Sequence, residues 1–297
     1  MVKITTGYLE FHNYRTFYRI VGEQKFQKPP LLLLHGGPGS THNYFEALDD
    51  LAYDGQQLIM YDQLGCGLSS MPNQPKLWHP KTWVEELIAL RRNLHLNKIH
   101  LLGQSWGGML ALIYLCDYDP SGIQSLILAS TLSSAQLWEQ EQRRLITYMS
   151  PQDQQAIKNA EKSQNYQAPD YLKANQHFMQ QHALDPATEQ KFSFLKRPKN
   201  QGTQAYLTAW GPNEYTPTGT LKDFDYTNQL QQIQVPTLIT SGTNDLCTPL
   251  IAKTMYDHLP NATWHLFAHS RHMAFIDEPE LYLQILDEWL QQHATPK

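Results

Sequence analysis

Ser105, Asp245 and the two histidines His269 and His272 are the residues of this chain whose types and order could carry out acyl transfer. A serine hydroxyl is a poor nucleophile at neutral pH. It needs an imidazole to take its proton and a carboxylate to hold that imidazole in the right tautomer and stabilise its charged form. Ser105 stands in Gly103-Gln104-Ser105-Trp106-Gly107, a Gly-x-Ser-x-Gly pentapeptide. Lys98 to Leu102 before it reads as a short buried strand, and Met109 to Cys116 after it as a buried helix. A sharp strand-to-helix turn strains the serine backbone, and glycine at 103 and 107 removes side chains that would meet neighbouring backbone. The pentapeptide alone is common in loops; its flanking strand and helix give it meaning.

The partners lie downstream, each after an apolar run. Thr237 to Thr240 leads into Ser241-Gly242-Thr243-Asn244-Asp245, which places Asp245 on a loop at a strand end. Trp264 to Phe267 leads into Ala268-His269-Ser270-Arg271-His272-Met273. Spacing favours His272, because a base a few residues beyond the strand can fold back over the serine, but it leaves His269 open. A tetrahedral intermediate also needs N–H donors aimed at its oxyanion. Trp106, directly after the serine, supplies one, and the loop His35-Gly36-Gly37-Pro38-Gly39 supplies another. As a phosphate cradle that loop fails, since no Gly-Lys-Ser/Thr follows it.

Short apolar runs near 31–34, 58–61, 99–102 and 123–128 alternate with helical patterns near 44–53, 83–94 and 109–118. Such alternation builds a mostly parallel sheet with helices on both faces. Residues 7–11 and 16–21 around His12-Asn13 read as an antiparallel hairpin. The rhythm breaks after Ser133. A Gln-, Lys-, Glu- and Tyr-rich stretch with helical patches and no convincing strand follows, and the sheet resumes at Val235. A helix is expected after Pro249, a strand at 264–267 and an amphipathic helix near 281–291. The expected architecture is an α/β core in two parts, 1–132 and 217–297, with a helical cap inserted at 133–216.

The 297 residues, 41% of them hydrophobic, suffice for such a core. A net charge of −5, from 28 acidic and 23 basic residues without blocks of one sign, argues against a nucleic-acid or anionic-membrane surface. The N-terminal stretch lacks the apolar run of a signal peptide, and the longest apolar run, 109–116, is far below spanning length. A cytoplasmic protein is expected; loose attachment to the cell envelope is compatible with the sequence, which leaves oligomeric state open. Cys66, Cys116 and Cys247 form no CxxC pair, and the 13 histidines are scattered without metal-ligand spacing, so neither a disulfide framework nor a metal site is expected. Asn261-Ala262-Thr263 reads as a turn rather than a glycosylation site.

The motifs HGGPGS at 35–40, MYDQLGCGLSS at 60–70, LLGQSWGGMLALIYL at 101–115, WGPNEYT at 210–216 and SGTNDLCTPL at 241–250 resemble the proline iminopeptidase (prolyl aminopeptidase) family of serine peptidases. The lactobacillus-type enzymes are especially similar, over nearly the whole chain. The resemblance implies an α/β-hydrolase fold, no cofactor, and a peptide substrate with a free N-terminal proline. It implies Ser105 as nucleophile, Asp245 as orienting acid and His272 as base, with the N–H groups of Gly37 and Trp106 as oxyanion hole. It further implies Glu214 as the anchor of the substrate's amino group; Trp106, Trp210 and Tyr215 are candidate walls for the pyrrolidine ring. Two positions depart from the family. Arg271 stands where a small glycine usually precedes the histidine, and Leu246 stands where some relatives carry a second glutamate. Cys247, two residues past Asp245, is expected to make activity sensitive to bulky thiol reagents without being catalytic. The competing readings are a prolyl dipeptidase, an amino-acid amide hydrolase, a carboxylesterase, or a ligand receptor without turnover.

Overall fold

The computed structural model describes residues 2–25 and 28–294. Its first two strands follow from the turn between them. His12 and Asn13 both have positive φ, 49° and 65°, the backbone of a two-residue turn whose twist matches antiparallel strands. Strands β1 (Ile4–Phe11) and β2 (Tyr14–Val21) therefore pair without interruption from Ile4↔Val21 to Phe11↔Tyr14.

The remaining strands are β3 (Leu31–Leu34), β4 (Leu58–Tyr61), β5 (Ile99–Gln104), β6 (Ile123–Ala129), β7 (Thr237–Gly242) and β8 (Ala262–Phe267). They join one sheet in the order β1-β2-β4-β3-β5-β6-β7-β8. Beyond the antiparallel β1–β2 and β2–β4 pairs, every pairing is parallel. Both faces of the central strands are buried, which explains apolar runs such as LLLL and LIMY. Leu32, Leu34, Ile59 and Tyr61 enter one core and Leu31, Leu33, Leu58 and Met60 the other, as the two-residue period of a strand requires.

Helices cover both faces. On one lie α1 (Pro80–Asn93) and α2 (Trp106–Tyr118), with Trp83, Leu87 and Leu110 in the core. On the other, residues 42–52 bury Tyr44, Phe45, Leu48 and Leu51. This last segment was expected as an α-helix and forms 3₁₀ turns instead. Over so few residues, apolar positions three or four apart suit either period.

Between β6 and β7 the chain forms α3 (Ala135–Ile146), α4 (Pro151–Ser163), α5 (Pro169–His182), α6 (Pro186–Glu189), α7 (Ser193–Lys196) and α8 (Thr203–Ala209), without a named strand. Ser134 and Ser150 cap α3 and α4 by accepting from Leu137 N–H and Asp153 N–H. After β7 come α9 (Pro249–His258), α10 (Ala274–Asp277) and α11 (Pro279–Gln292); Leu286 and Trp289 of α11 pack into the second core. Among the described residues no helix is long and apolar enough to cross a membrane. Because β3, β5, β6, β7 and β8 run parallel, the loops after them open on one edge of the sheet, the usual site of ligands in such folds.

Candidate active site

Ser105 sits at the junction of β5 and α2 with φ 54° and ψ −123°, a conformation costly for any residue with a side chain. Its neighbours hold it there. Ser105 N–H donates to Ala129 O at 3.0 Å, and Thr131 Oγ1 donates to Ser105 O at 2.6 Å. Glycine is required on both sides: a Cβ at Gly103 would strike the Gly107 carbonyl, and one at Gly107 would strike the Leu34 carbonyl of β3. The strand–turn–helix expected around Ser105 is present.

Asp245 lies in the loop after β7 and His272 in the loop after β8. His272 Nδ1 is 2.7 Å from Asp245 Oδ1. His269 is exposed, and among the described residues only its backbone N–H is bonded, to Glu278, so of the two histidines left open by spacing it is His272 that meets the carboxylate. Asp245 is buried, and its charge is met by four donors. Oδ1 also accepts from Cys247 N–H at 2.8 Å, and Oδ2 accepts from Ser130 Oγ at 2.6 Å and Gly242 N–H at 3.1 Å. A buried carboxylate is tolerable only when so satisfied. Gln104, beside Ser105, donates from Nε2 to His272 O at 3.3 Å, tying the serine turn to the histidine loop. Among the described residues no hydrogen bond joins Ser105 Oγ to His272 Nε2, a contact that commonly tightens only when substrate is bound.

The 35–39 loop packs directly on the serine turn: a Cβ at Gly36 would lie 3.1 Å from Ser105 Cβ. Gly36 N–H is already engaged by Tyr44 Oη at 2.6 Å, whereas among the described residues the N–H groups of Gly37 and Trp106 have no acceptor. Gly37 adopts φ +112°, and a Cβ there would meet Gly39 N at 2.5 Å, so only glycine presents this N–H. Beneath the loop His35 is fully buried, and burial lowers its imidazole to about 4, keeping it neutral. Its Nε2 accepts from Gln63 N–H at 3.0 Å, leaving Nδ1–H to donate to Gly36 O at 2.8 Å. Gln63 in turn donates to His35 O at 2.9 Å and accepts from Trp106 Nε1 at 2.8 Å. The run 62–67 thus braces both candidate oxyanion donors.

Glu214 comes from the insert between β6 and β7. Burial pushes its carboxyl above the ordinary value, while the Tyr206 hydroxyl, donating to Oε1 at 2.8 Å, and nearby His272 act in the opposite direction. The three aromatics named as candidate ring walls pack against protein neighbours. Trp106 points into the core against Trp83, at 5.1 Å between centroids, and Tyr215 packs on Phe178 at 5.3 Å while donating to Asn175. Both side chains are fully buried by packing. Trp210 packs perpendicular to Trp138 at 6.3 Å between centroids.

Trp138 is the aromatic set edge-on to His272, at 6.0 Å, and its Nε1 donates to Glu214 O at 2.8 Å. Sequence reasoning did not single out Trp138, Tyr206 or Ser130. Trp138 and Tyr206 are ordinary apolar-face residues of helices by pattern, and only their distant contacts distinguish them. Leu246 is buried, with its carbonyl accepting from Gln142 Nε2 at 2.7 Å. Arg271 finds two carboxylates, Asp185 at 3.4 Å and Asp277 at 3.8 Å, so the loop accommodates it as an ion-pairing residue. Among the described residues no group of three or more His, Cys, Asp or Glu could hold a metal ion.

A strained serine turn, a buried Asp–His pair and two N–H groups without an acceptor among the described residues, Gly37 on the glycine loop and Trp106 at the start of α2, can together support acyl transfer through a covalent intermediate. Residues 29–279 match the family model of the alpha/beta hydrolase fold. The chain is 63% identical over 291 residues to a proline iminopeptidase of Levilactobacillus brevis, covering 98% of this chain and 97% of that one. It is equally identical over 286 residues to a proline iminopeptidase of Lactiplantibacillus plantarum, covering 96% and 100%. Among solved structures, the proline iminopeptidase of Mycobacterium smegmatis superposes with a TM-score of 0.84 at 29% identity, covering 97% of this chain and 98% of that one. Likeness of this extent in both sequence and fold, around a serine turn and an Asp–His pair, means that the chain belongs to the proline iminopeptidase family of α/β hydrolases.

Proposed function

We propose that this chain is a cofactor-independent serine aminopeptidase that releases N-terminal proline from peptides through an acyl-enzyme, with residues 133–216 forming a cap over the site. The reading is carried by the Asp245–His272 pair beside the Ser105 turn, with Trp138 of the insert set edge-on to the same histidine and bonded to the Glu214 carbonyl. The substrate's secondary ammonium docks on Glu214, setting the prolyl carbonyl over Ser105. Ser105 Oγ attacks that carbonyl while its proton passes to His272 Nε2, and the oxyanion is held by the N–H groups of Gly37 and Trp106. The imidazolium, steadied by Asp245, gives its proton to the departing peptide amine as the C–N bond breaks. Water then loses a proton to His272 and attacks the ester, releasing proline and restoring the hydroxyl. Cys66, Cys116 and Cys247 are all free thiols, which suits a reducing, cytoplasmic setting.

The test is Ser105→Ala assayed on a panel of N-terminal aminoacyl arylamides together with Pro-Gly, prolinamide and a short-chain ester. Loss of all turnover in the variant, and preference of the parent enzyme for the proline arylamide, are the expected results. Retention of arylamide hydrolysis by Ser105→Ala would overturn the mechanism; preference for Pro-Gly, the amide or the ester would overturn the substrate.

A further inference from the structure

His182, the last residue of α5, is hydrogen-bonded to both loops that carry the acid–base pair. Its carbonyl oxygen accepts from His272 N–H at 3.1 Å, and its Nδ1 lies 2.9 Å from the carbonyl oxygen of Asn244, the residue before Asp245. A carbonyl can only accept, so Nδ1 carries the hydrogen and donates. Burial holds the imidazole below its ordinary value, against the opposing influence of the Asn244 bond and Asp245. This geometry needs a hydrogen on Nδ1. One turn earlier the buried ring of Phe178 packs against the imidazole at 5.1 Å, anchoring it in the insert.

The two peptide groups of His272 are thus held from different sides. Its carbonyl is fixed by Gln104 of the core and its N–H by His182 of the insert. The same His182 fixes the peptide preceding Asp245, so it spans the two loops that meet in the 2.7 Å Asp245–His272 bond. We infer that His182 is a positioning residue through which seating of the insert aligns His272 with Asp245. Covering the substrate and assembling the acid–base pair then become one event, because α5 cannot lift without releasing both loops. The inference rests on the assignment of Ser105, His272 and Asp245 proposed above.

The experiment compares His182→Leu, which keeps an apolar body against Phe178 but lacks the donor, with His182→Asn, whose side-chain amide offers an N–H near the position of Nδ1. Three quantities are read in the full chain: kcat and KM on a proline arylamide, the rate of Ser105 labelling by a fluorophosphonate, and the melting temperature. His182→Leu is expected to lower kcat and the labelling rate about tenfold, the scale of one lost hydrogen bond, with KM changed less than about twofold. His182→Asn is expected to recover most of both rates at a similar melting temperature. Unchanged rates in His182→Leu, equal rates in the two variants, or a change confined to KM would each overturn the inference. Failure of the fluorophosphonate to label the unaltered enzyme would instead overturn the serine-hydrolase reading.

Discussion

Ser130, just past the end of β6, donates from Oγ to Asp245 Oδ2 at 2.6 Å across 115 positions of sequence. Ser130 holds φ 47°, with its N–H on Thr240 O at 2.8 Å. The hydroxyl is thereby aimed under the carboxylate that orients His272. A hydrogen bond to a charged group contributes about 1.5–3 kcal/mol, so Ser130→Ala is expected to lower kcat/KM for a proline arylamide by about tenfold or more. Ser130→Gly removes the same hydroxyl but relieves the left-handed backbone, which costs a residue with a Cβ about 1 kcal/mol. Steady-state kinetics and thermal melts should therefore give the two variants similar rates, with glycine the more stable. Full activity in Ser130→Ala would mean that Asp245 does not need its fourth donor.

Glu214 accepts from the Tyr206 hydroxyl through Oε1, and in the proposed function its carboxylate receives the substrate amine. Burial raises this carboxyl, and a bound ammonium draws it back to the charged form. Glu214→Gln is expected to lower kcat/KM for the proline arylamide by about 30-fold, the effect of roughly 2 kcal/mol. Hydrolysis of a short-chain ester without an amine should change less than about threefold. The sign with pH follows from the raised value: the carboxylate is populated only as pH climbs through it, so the advantage of the parent enzyme over Glu214→Gln should widen with rising pH. Equal losses on amide and ester would remove Glu214 from amine recognition.

The elements that punctuate the chain were legible because their signals are local. Gly103 and Gly107 announce the serine turn, and the apolar runs before Ser105, Asp245 and His272 place all three at strand ends. Spacing favoured His272 over His269 without deciding between two histidines of one loop; the family resemblance named His272, and it is His272 that Asp245 approaches. Ser130 and His182 carried no signal for a different reason. A serine after a strand and a histidine at a helix end are ordinary in those positions, and their significance arises from partners more than sixty residues away. Proximity in sequence to Ser105 or Glu214 says nothing of direction: Trp106 packs on Trp83 in the core, whereas Trp138, more than thirty residues from Ser105, is set edge-on to His272.

The burial of Cys247 argues against the expected sensitivity to thiol reagents. It is fully buried, its Sγ lies 2.9 Å from Thr131 O, and burial together with Asp245 pushes the thiol well above its ordinary value. Cys66 is equally enclosed, and burial pushes the half-buried Cys116 up to about 11. Thiolate, not thiol, is the reactive form. A bulky aromatic disulfide reagent at neutral pH should leave arylamide hydrolysis intact while all three thiols titrate after denaturation. Rapid inactivation of the folded enzyme, prevented by Cys247→Ala, would contradict the buried placement.

Glu86 of α1 is a fully buried carboxyl that accepts from Thr16 Oγ1 and, at 2.9 and 3.0 Å, from Leu64 N–H, beside the 62–67 run that braces Trp106. Burial pushes it up from 4.5 to about 8, against the opposing influence of the Thr16 and Leu64 bonds. The folded state therefore binds more protons than the unfolded chain between those values, so this group's contribution to stability is complete below about 4.5 and is lost as pH rises to about 8. Glu86→Gln keeps a carbonyl acceptor for Thr16 and Leu64 and removes the titration. Its melting temperature relative to the parent should rise steadily from pH 5 to pH 8 and level off above, as followed by thermal melts across that range. Parallel melting curves from pH 5 to 9 would mean that the carboxyl ionises as freely in the folded protein as in the unfolded chain.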